Sequence, residues 1–278
     1  MINNIDFKSD KMNEIVLSPK DQPLIQIEAE VISPDAFAGK TTSEIESLKI
    51  WQGTRQFDLS EFFDVSGASG ENAGDTRIAI DGSVHRTKYI GQEMSGGEIL
   101  VKGSAGMHAA EKMKGGKMII EKDADSWTGT QLLGGELKIG GNAGDYLGSA
   151  FRGEWQGMKG GFIEVGGNVK SQLGSGIVGG RILVKGNAEQ FPGVHMNNGL
   201  IIIEGDAERG AGAEMIGGNM VVKGKIHTLL PGFEFVEKVN GIEIEDGKIE
   251  GEFLKFLGDF AVKKTVQGNL YAGEVDGF

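Results

Sequence analysis

From residue 94 to residue 224, apolar and polar positions recur with a nearly fixed period. Each unit opens on a large apolar residue followed by a glycine turn. The openings are Met94-Ser95-Gly96-Gly97, Met113-Lys114-Gly115-Gly116, Leu132-Leu133-Gly134-Gly135, Met158-Lys159-Gly160-Gly161, Ile177-Val178-Gly179-Gly180, Met196-Asn197-Asn198-Gly199 and Met215-Ile216-Gly217-Gly218. Successive openings lie 19, 19, 26, 19, 19 and 19 residues apart, so one unit carries seven extra residues. Five residues follow each opening. Their second and fourth positions are Ile99/Val101, Met118/Ile120, Leu137/Ile139, Ile163/Val165, Ile182/Val184, Ile201/Ile203 and Met220/Val222. Period-two alternation predicts a short strand with one buried face. The sixth position is Gly103, Gly141, Gly167, Gly186, Gly205 or Gly224, with Lys122 the exception, and a pair such as Asn142-Ala143, Asn187-Ala188 or Asp206-Ala207 comes next. Gly, Asn and Asp tolerate a left-handed backbone, which predicts a corner after each strand.

A unit of this length is too short for two helices, and no window in it has helical periodicity. The pattern predicts an all-β fold, a right-handed parallel β-helix of about seven or more coils in which each strand pairs with its equivalent one unit away. A propeller or an up-and-down barrel would need longer repeats or hairpin turns. Charges favour the stacking. The fifth strand position reads Lys102, Glu121, Gly140, Gly166, Lys185, Glu204, Lys223, and the first begins Glu98, Lys117, Glu136. Opposite charges side by side in a ladder contribute about 0.2–1 kcal/mol each. Seven coils about 4.8 Å apart make a prism roughly 30 Å long.

The flanks read differently. Residues 1–75 are glycine-poor and predict a small N-terminal α+β cap, residues 76–247 the coiled body, and residues 248–278 a C-terminal cap and tail. In the first part, Ile25, Ile27, Ala29 and Val31 alternate with polar residues as a strand ending before Pro34. Thr42 to Leu48 is a helix capped by Thr42 or Ser43, and Leu48 to Leu59 is a hairpin turning at Gly53. Ser60 to Phe63 reads as a helical turn, and Thr76 to Gly82 as an irregular first coil with Ile78 and Ile80 inward. Beyond Gly224, Asn240 to Ile244 reads as one more coil. Phe253, Phe256, Leu257 and Phe260 read as a plug, and Lys263 to Phe278 as a short polar tail.

Composition narrows the function. Of 278 residues 47 are glycine, and 32 of these lie between Met94 and Gly224, so the excess belongs to tight corners. The net charge of −12 argues against nucleic acid as a partner. The start Met1-Ile2-Asn3-Asn4-Ile5-Asp6 lacks a basic and apolar run, and no apolar stretch has membrane length, so a cytoplasmic protein is expected. With no cysteine, the chain offers no thiolate to an iron–sulfur cluster or other metal, no disulfide and no cysteine nucleophile.

Few residues invite chemistry. Gly174-Ser175-Gly176-Ile177-Val178-Gly179 matches GxGxxG without the βαβ setting that gives the pattern meaning. Gly174 instead aligns with Gly129, Gly148, Gly193 and Gly212 as a corner column. His108 and Glu111 are ligand types, but they sit on a coil edge. Met94, Met113, Met158, Met196 and Met215 form a column whose other members are Leu132 and Ile177, which reads as core. No metal, cofactor-binding or catalytic residue is therefore assigned to this chain. One row stands out: His108, Trp127, Tyr146, Gln172 and Phe191 occupy one position in successive coils. The seven-residue insertion falls beside it, within Gly144 to Gly157, and carries Phe151, Arg152 and Trp155. Tyr, Trp, Phe and Arg are enriched in interfaces. Trp127, Tyr146, Phe151, Arg152, Trp155 and Phe191 either form a partner surface or pack on their own corner.

Gly144-Asp145-Tyr146-Leu147-Gly148 followed by Met158-Lys159-Gly160-Gly161 resembles the glycine-motif β-helix at the C-terminal end of glutamate synthase large subunits. The fuller resemblance is to the C subunit of tungsten- or molybdenum-containing formylmethanofuran dehydrogenases. It covers Pro34-Asp35-Ala36-Phe37-Ala38-Gly39-Lys40 with Glu44, Ile45 and Leu48, all the repeats, and Gly258-Asp259-Phe260-Ala261; Lys122 departs from the glycine pattern. That resemblance implies a non-catalytic subunit of a complex that reduces CO2 to formate and condenses it with methanofuran, the first step of methanogenesis from CO2. It places tungsto- or molybdopterin, iron–sulfur clusters and a binuclear metal site in the metal–pterin, amidohydrolase-like and ferredoxin-like partner subunits. Alternatives are a subunit that itself lines a substrate channel, the β-helical subunit of a formyltransferase/hydrolase complex, and a glutamate-synthase-like β-helix subunit.

Overall fold

The structure, a computed structural model, describes residues 12–244 and 247–278. The start read for a signal, residues 1–6, lies outside the described residues. The fold is mostly β, dominated by a fourteen-stranded sheet. The seven repeat strands, Glu98–Val101, Lys117–Ile120, Glu136–Ile139, Phe162–Val165, Arg181–Val184, Leu200–Ile203 and the start of Asn219–Thr228, pair in parallel, each with its equivalent one unit on. Pairing is in register, Val165 opposite Ile139 and Val184. The second and fourth positions face the core, and Val101, Val165, Val184, Ile203 and Val222 are fully buried. A second line of parallel bridges joins Val84, Ala105, Ala124, Ala143, Val169, Ala188 and Ala207 in sequence. The opening residues Met94, Met113, Leu132, Met158, Ile177, Met196 and Met215 are all fully buried. Each repeat unit is thus joined to its neighbours at two separate lines of pairing.

The corner after each strand is not made as its composition predicts. Gly103, Gly141, Gly167, Gly186, Gly205 and Gly224 do not have positive φ, nor do Asn142, Asn187 and Asp206. The requirement is close approach. Asp123 Oδ1 accepts the Asn142 N–H at 2.7 Å, Asn142 that of Asn168 at 2.9 Å, Asn168 that of Asn187 at 2.8 Å. Asn187 continues to Asp206 at 2.8 Å and Asp206 to Lys225 at 2.7 Å. A Cβ on Gly141, Gly167, Gly186, Gly205 or Gly224 would overlap the ladder oxygen of the preceding coil. Lys122 stands where the preceding ladder residue is Ser104, and that rung, Ser104 Oγ to Asp123 N, is long at 3.4 Å.

The N-terminal end extends the sheet. Asn13–Pro19 pairs in parallel with Thr76–Ile80, which carries buried Ile78 and Ile80 into the first coil, and antiparallel with Phe63–Gly67. The alternation Ile15, Leu17 covers two apolar positions, too few to identify a strand alone. The hairpin at Gly53 is present as Lys49–Gln52 and Arg55–Asp58. The helical turn is Leu59–Glu61, with Phe63 already in a strand. The helix is Thr42–Glu46, and its cap is Thr41 rather than Thr42 or Ser43. Thr41 and Glu44 exchange side-chain-to-backbone bonds, which also lower the Glu44 pKa, chiefly through the Thr41 N–H. The strand expected from Ile25 shrinks to Ile27–Glu28, and Ile25 is exposed.

The C-terminal end differs most. Asn240–Ile244 is not another coil. It belongs to a long antiparallel hairpin, Glu234–Ile244 with Gly247–Leu257. The next rung comes from the predicted tail: Asn269–Val275 pairs in parallel with Asn219–Thr228, setting Leu270 beside Met220 and Ala272 beside Val222. The hairpin packs on the outward face of the last strands, where Ile242, Ile249 and Phe253 cluster with Ile202, Val221 and Tyr271. Phe256 is buried in the main core, whose contiguous cluster runs from Ile15 to Val275.

Candidate functional site

The row read from the sequence lies on the corner that follows the alanine bridges. Tyr89, His108, Trp127, Tyr146, Gln172 and Phe191 all have φ between +57° and +65°. A non-glycine residue held left-handed costs about 1 kcal/mol or more. Coil stacking offsets it: the Trp127 N–H donates to Asp145 O at 2.8 Å, Tyr146 to Ser171 O at 3.0 Å and Phe191 to Arg209 O at 2.7 Å. With backbones in register the side chains fall over one another. Trp127 and Tyr146 stack with centroids 4.0 Å apart and planes at 4°. His108 lies 6.0 Å from Trp127 and 4.8 Å from Tyr89.

The insertion folds back onto this stack. Phe151 stacks against His108 at 6.2 Å and Trp127 at 6.1 Å. Lys112 Nζ lies over the Phe151 ring at 5.3 Å, and the Arg152 guanidinium over Tyr146 at 5.7 Å. Gln131 Nε2 fastens the loop by donating to the Glu154 carboxylate and to Gln156 O. Beneath the loop the wall is continuous, since Ala150 N donates to Ser175 O and Gly157 N to Gly176 O.

Four of the six candidate residues, Trp127, Tyr146, Phe151 and Arg152, therefore meet. Trp155 does not join the stack. It is 76% exposed and touches His195 edge-on at 5.5 Å. Phe191 is separated from the stack by Gln172, whose Nε2 bonds the Tyr146 hydroxyl at 3.3 Å, and has Arg209 over its own ring. Tyr89 is a member of the stack that the sequence reading missed; it stands one repeat before His108 and the same alignment finds it.

Under the stack lies a polar anchor. Glu111, 3% exposed, accepts from Gln92 at 2.9 Å on one oxygen and meets His108 Nδ1 at 2.7 Å on the other. A carboxylate only accepts, so Nδ1 carries the proton. Burial, and then the Glu111 charge, push the Tyr89 phenol above its ordinary pKa. Among the described residues no group of three or more His, Cys, Asp or Glu is placed to hold a metal. The corner offers ring edges, an exposed indole, two cations and the exposed Glu154 carboxylate.

Comparison with known proteins decides the family. No family model matches the sequence. The C subunit of molybdenum-containing formylmethanofuran dehydrogenase 1 from Methanosarcina barkeri is 69% identical over 261 residues, covering 94% of this chain and 87% of that protein. This chain belongs to the family of formylmethanofuran dehydrogenase C subunits. The C subunit of tungsten-containing formylmethanofuran dehydrogenase 2 from Methanothermobacter thermautotrophicus is 50% identical over 97 residues, 35% of this chain and 36% of that one. The fold of this family also recurs in the crystal structure of a formyltransferase/hydrolase complex from Methylorubrum extorquens with methylofuran. The match has a TM-score of 0.79 and 23% identity, over 92% of this chain and 98% of that one. No helix among the described residues is long and apolar enough to cross a membrane.

Proposed function

We propose that this chain is a non-catalytic scaffold of a formylmethanofuran dehydrogenase complex, which reduces CO2 to formate and condenses it with methanofuran. The observation that carries the reading is the 69% identity along nearly the whole chain. The body is a right-handed parallel β-helix of glycine-rich coils from 76 to 228 with Asn269–Val275 as a further rung, and the expected boundary at 247 falls inside the hairpin 234–257 that covers its C-terminal end. The parallel rungs and alanine bridges support the coil, and the near-universal right hand of parallel crossovers supports its sense. Tungsto- or molybdopterin, iron–sulfur clusters and the binuclear metal site reside in the partner subunits, consistent with a sequence that has no cysteine to ligate a cluster. The assembly works in the cytoplasm. A coil bonded to its neighbours at every corner is stiff along its axis, which suits it to holding larger subunits at fixed separation.

Affinity capture of the native full-length chain with mass spectrometry of what accompanies it tests the reading. Metal–pterin, amidohydrolase-like and ferredoxin-like subunits are the expected companions. A formyltransferase with no pterin subunit would transfer the chain to the formyltransferase/hydrolase type, in which the fold recurs.

A further inference from the structure

We infer that Asn198 is a site of covalent self-modification, where its side chain cyclises on the Gly199 amide nitrogen and the chain acquires an isoaspartyl link. Glycine is the rule at this place in the repeat. Gly96, Gly115, Gly134, Gly160, Gly179 and Gly217 hold it in the other six units. The spacing of the units explains the rule. A Cβ at Gly115, Gly134, Gly160 or Gly179 would overlap the carbonyl oxygen of Ser95, Lys114, Leu133 or Lys159 one unit earlier. Asn198 breaks the rule, and its corner is looser. Its N–H reaches Ile177 O at 3.4 Å, where Gly115 and Gly134 reach the equivalent oxygen at 3.2 and 3.1 Å. A Cβ at Gly199 would stand 3.0 Å from Gly180 O, against 2.7 Å for the equivalent approach at Gly135 and Gly161.

The reacting groups are not held back. Among the described residues neither the Asn198 side-chain amide nor the Gly199 N–H makes a hydrogen bond. Gly199, at φ +86°, has no Cβ to block the approach of its nitrogen to Asn198 Cγ. Asn198 is exposed in an open groove of about 860 Å³ walled by Gly180, Arg181, Asn219, Glu243 and Ile244, so water reaches it. The ladder asparagines are the opposite case. Asn142, Asn168 and Asn187 have their side-chain carbonyls bonded to the next unit, and Ala143, Val169 and Ala188 follow them. Asn240-Gly241 is the other Asn-Gly pair, but its strand is paired on both sides of Gly241, Asn240 with Glu252 and Ile242 with Ile249. The step needs no oxidant or reductant. Hydroxide takes the Gly199 amide proton, and the nitrogen forms a bond to Asn198 Cγ. The Cγ–Nδ2 bond breaks, and that nitrogen leaves as ammonia with a proton from water. Water then opens the cyclic imide at either carbonyl, giving aspartate or an isoaspartyl link in which the backbone runs through the side-chain carbon. The second product lengthens the chain where Gly199 O accepts the Asn219 N–H at 3.0 Å, and so loosens the joint to the following unit.

The test uses the folded full-length chain, incubated at mildly alkaline pH in water labelled with heavy oxygen and mapped by peptide mass spectrometry. The tryptic peptide 186–209 carries both Asn187 and Asn198, so one fragment compares them. Asn198 is expected to take up labelled oxygen, as aspartate and isoaspartate together, about ten-fold or more faster than Asn187, which must first give up its ladder bond. Asn198→Gly restores the residue of the other units and is expected to fold and to abolish that fast labelling. Uptake at Asn198 no faster than at Asn187 overturns the inference. Aspartate without isoaspartate overturns the cyclic step. Equally fast uptake at Asn240 overturns the assignment to this corner, because the dipeptide alone would then set the rate. All of these outcomes are read on the chain by itself and leave the scaffold reading where it stands.

Discussion

Asn142, Asn168 and Asn187 each give their side-chain carbonyl to the backbone N–H of the coil that follows, and the next glycine column leaves room for it. Asn187→Ala would strand the Asp206 N–H and is expected to cost about 1–2 kcal/mol in denaturant unfolding. Gly186→Ala would drive a methyl into Asn168 Oδ1 and the Gly167 backbone, and should cost about 1–3 kcal/mol by overpacking. If Gly186→Ala proves neutral, close approach is not why glycine stands there. Tyr89 makes a different prediction. Its folded pKa is raised, so the folded state keeps the phenolic proton where the unfolded chain has lost it. Its contribution to stability is fully present below the unfolded value, about 10, and is lost as pH rises through the folded one. Unfolding measured across that alkaline range should show a decline in stability that Tyr89→Phe makes shallower.

At the scale of elements, the repeat strands could be read because each carries its burial pattern within a few residues, as Ile182 and Val184 do around Leu183. The C-terminal elements could not. The rung at Asn269–Val275 is separated from its parallel partner by a whole hairpin, and no period connects Leu270 to Met220. One sign of the hairpin was legible. The outward third strand position changes from Lys138 and Glu164 to Leu183, Ile202 and Val221, and an apolar outward face must be covered. Phe253 lies in that cover and is buried. Phe253→Ala should cost about 3 kcal/mol or more. Amide exchange should quicken in Asn219–Thr228 while Lys117–Ile120 keeps its protection, since proteins open in local units. Equal loss of protection along the whole sheet would mean that the ends and the middle open together. At the candidate site, sequence identified the row because its members share a repeat position. It could not tell that Phe151 turns back to the stack while Trp155 faces outward, since an insertion has no period to fix its direction.

In the whole molecule the parallel run is ended on both sides by a strand of opposite sense, Phe63–Gly67 at one end and Gly247–Leu257 at the other, with Glu234–Ile244 beyond it at the sheet edge. Between them the side-chain ladder points one way. Ser83 serves Ser104, Ser104 serves Asp123, and the series runs on to Lys225, always from an earlier coil to a later one. Translation delivers the chain in that same order. For this ladder each unit leaving the ribosome finds its acceptor already in place, whereas its own corner N–H groups, such as that of Trp127 toward Asp145 O, wait for the unit that follows. Truncation therefore strands different groups at the two ends: loss of the first unit leaves the next one's ladder N–H without its acceptor, whereas loss of the last leaves the corner N–H groups of the unit before it unpaired.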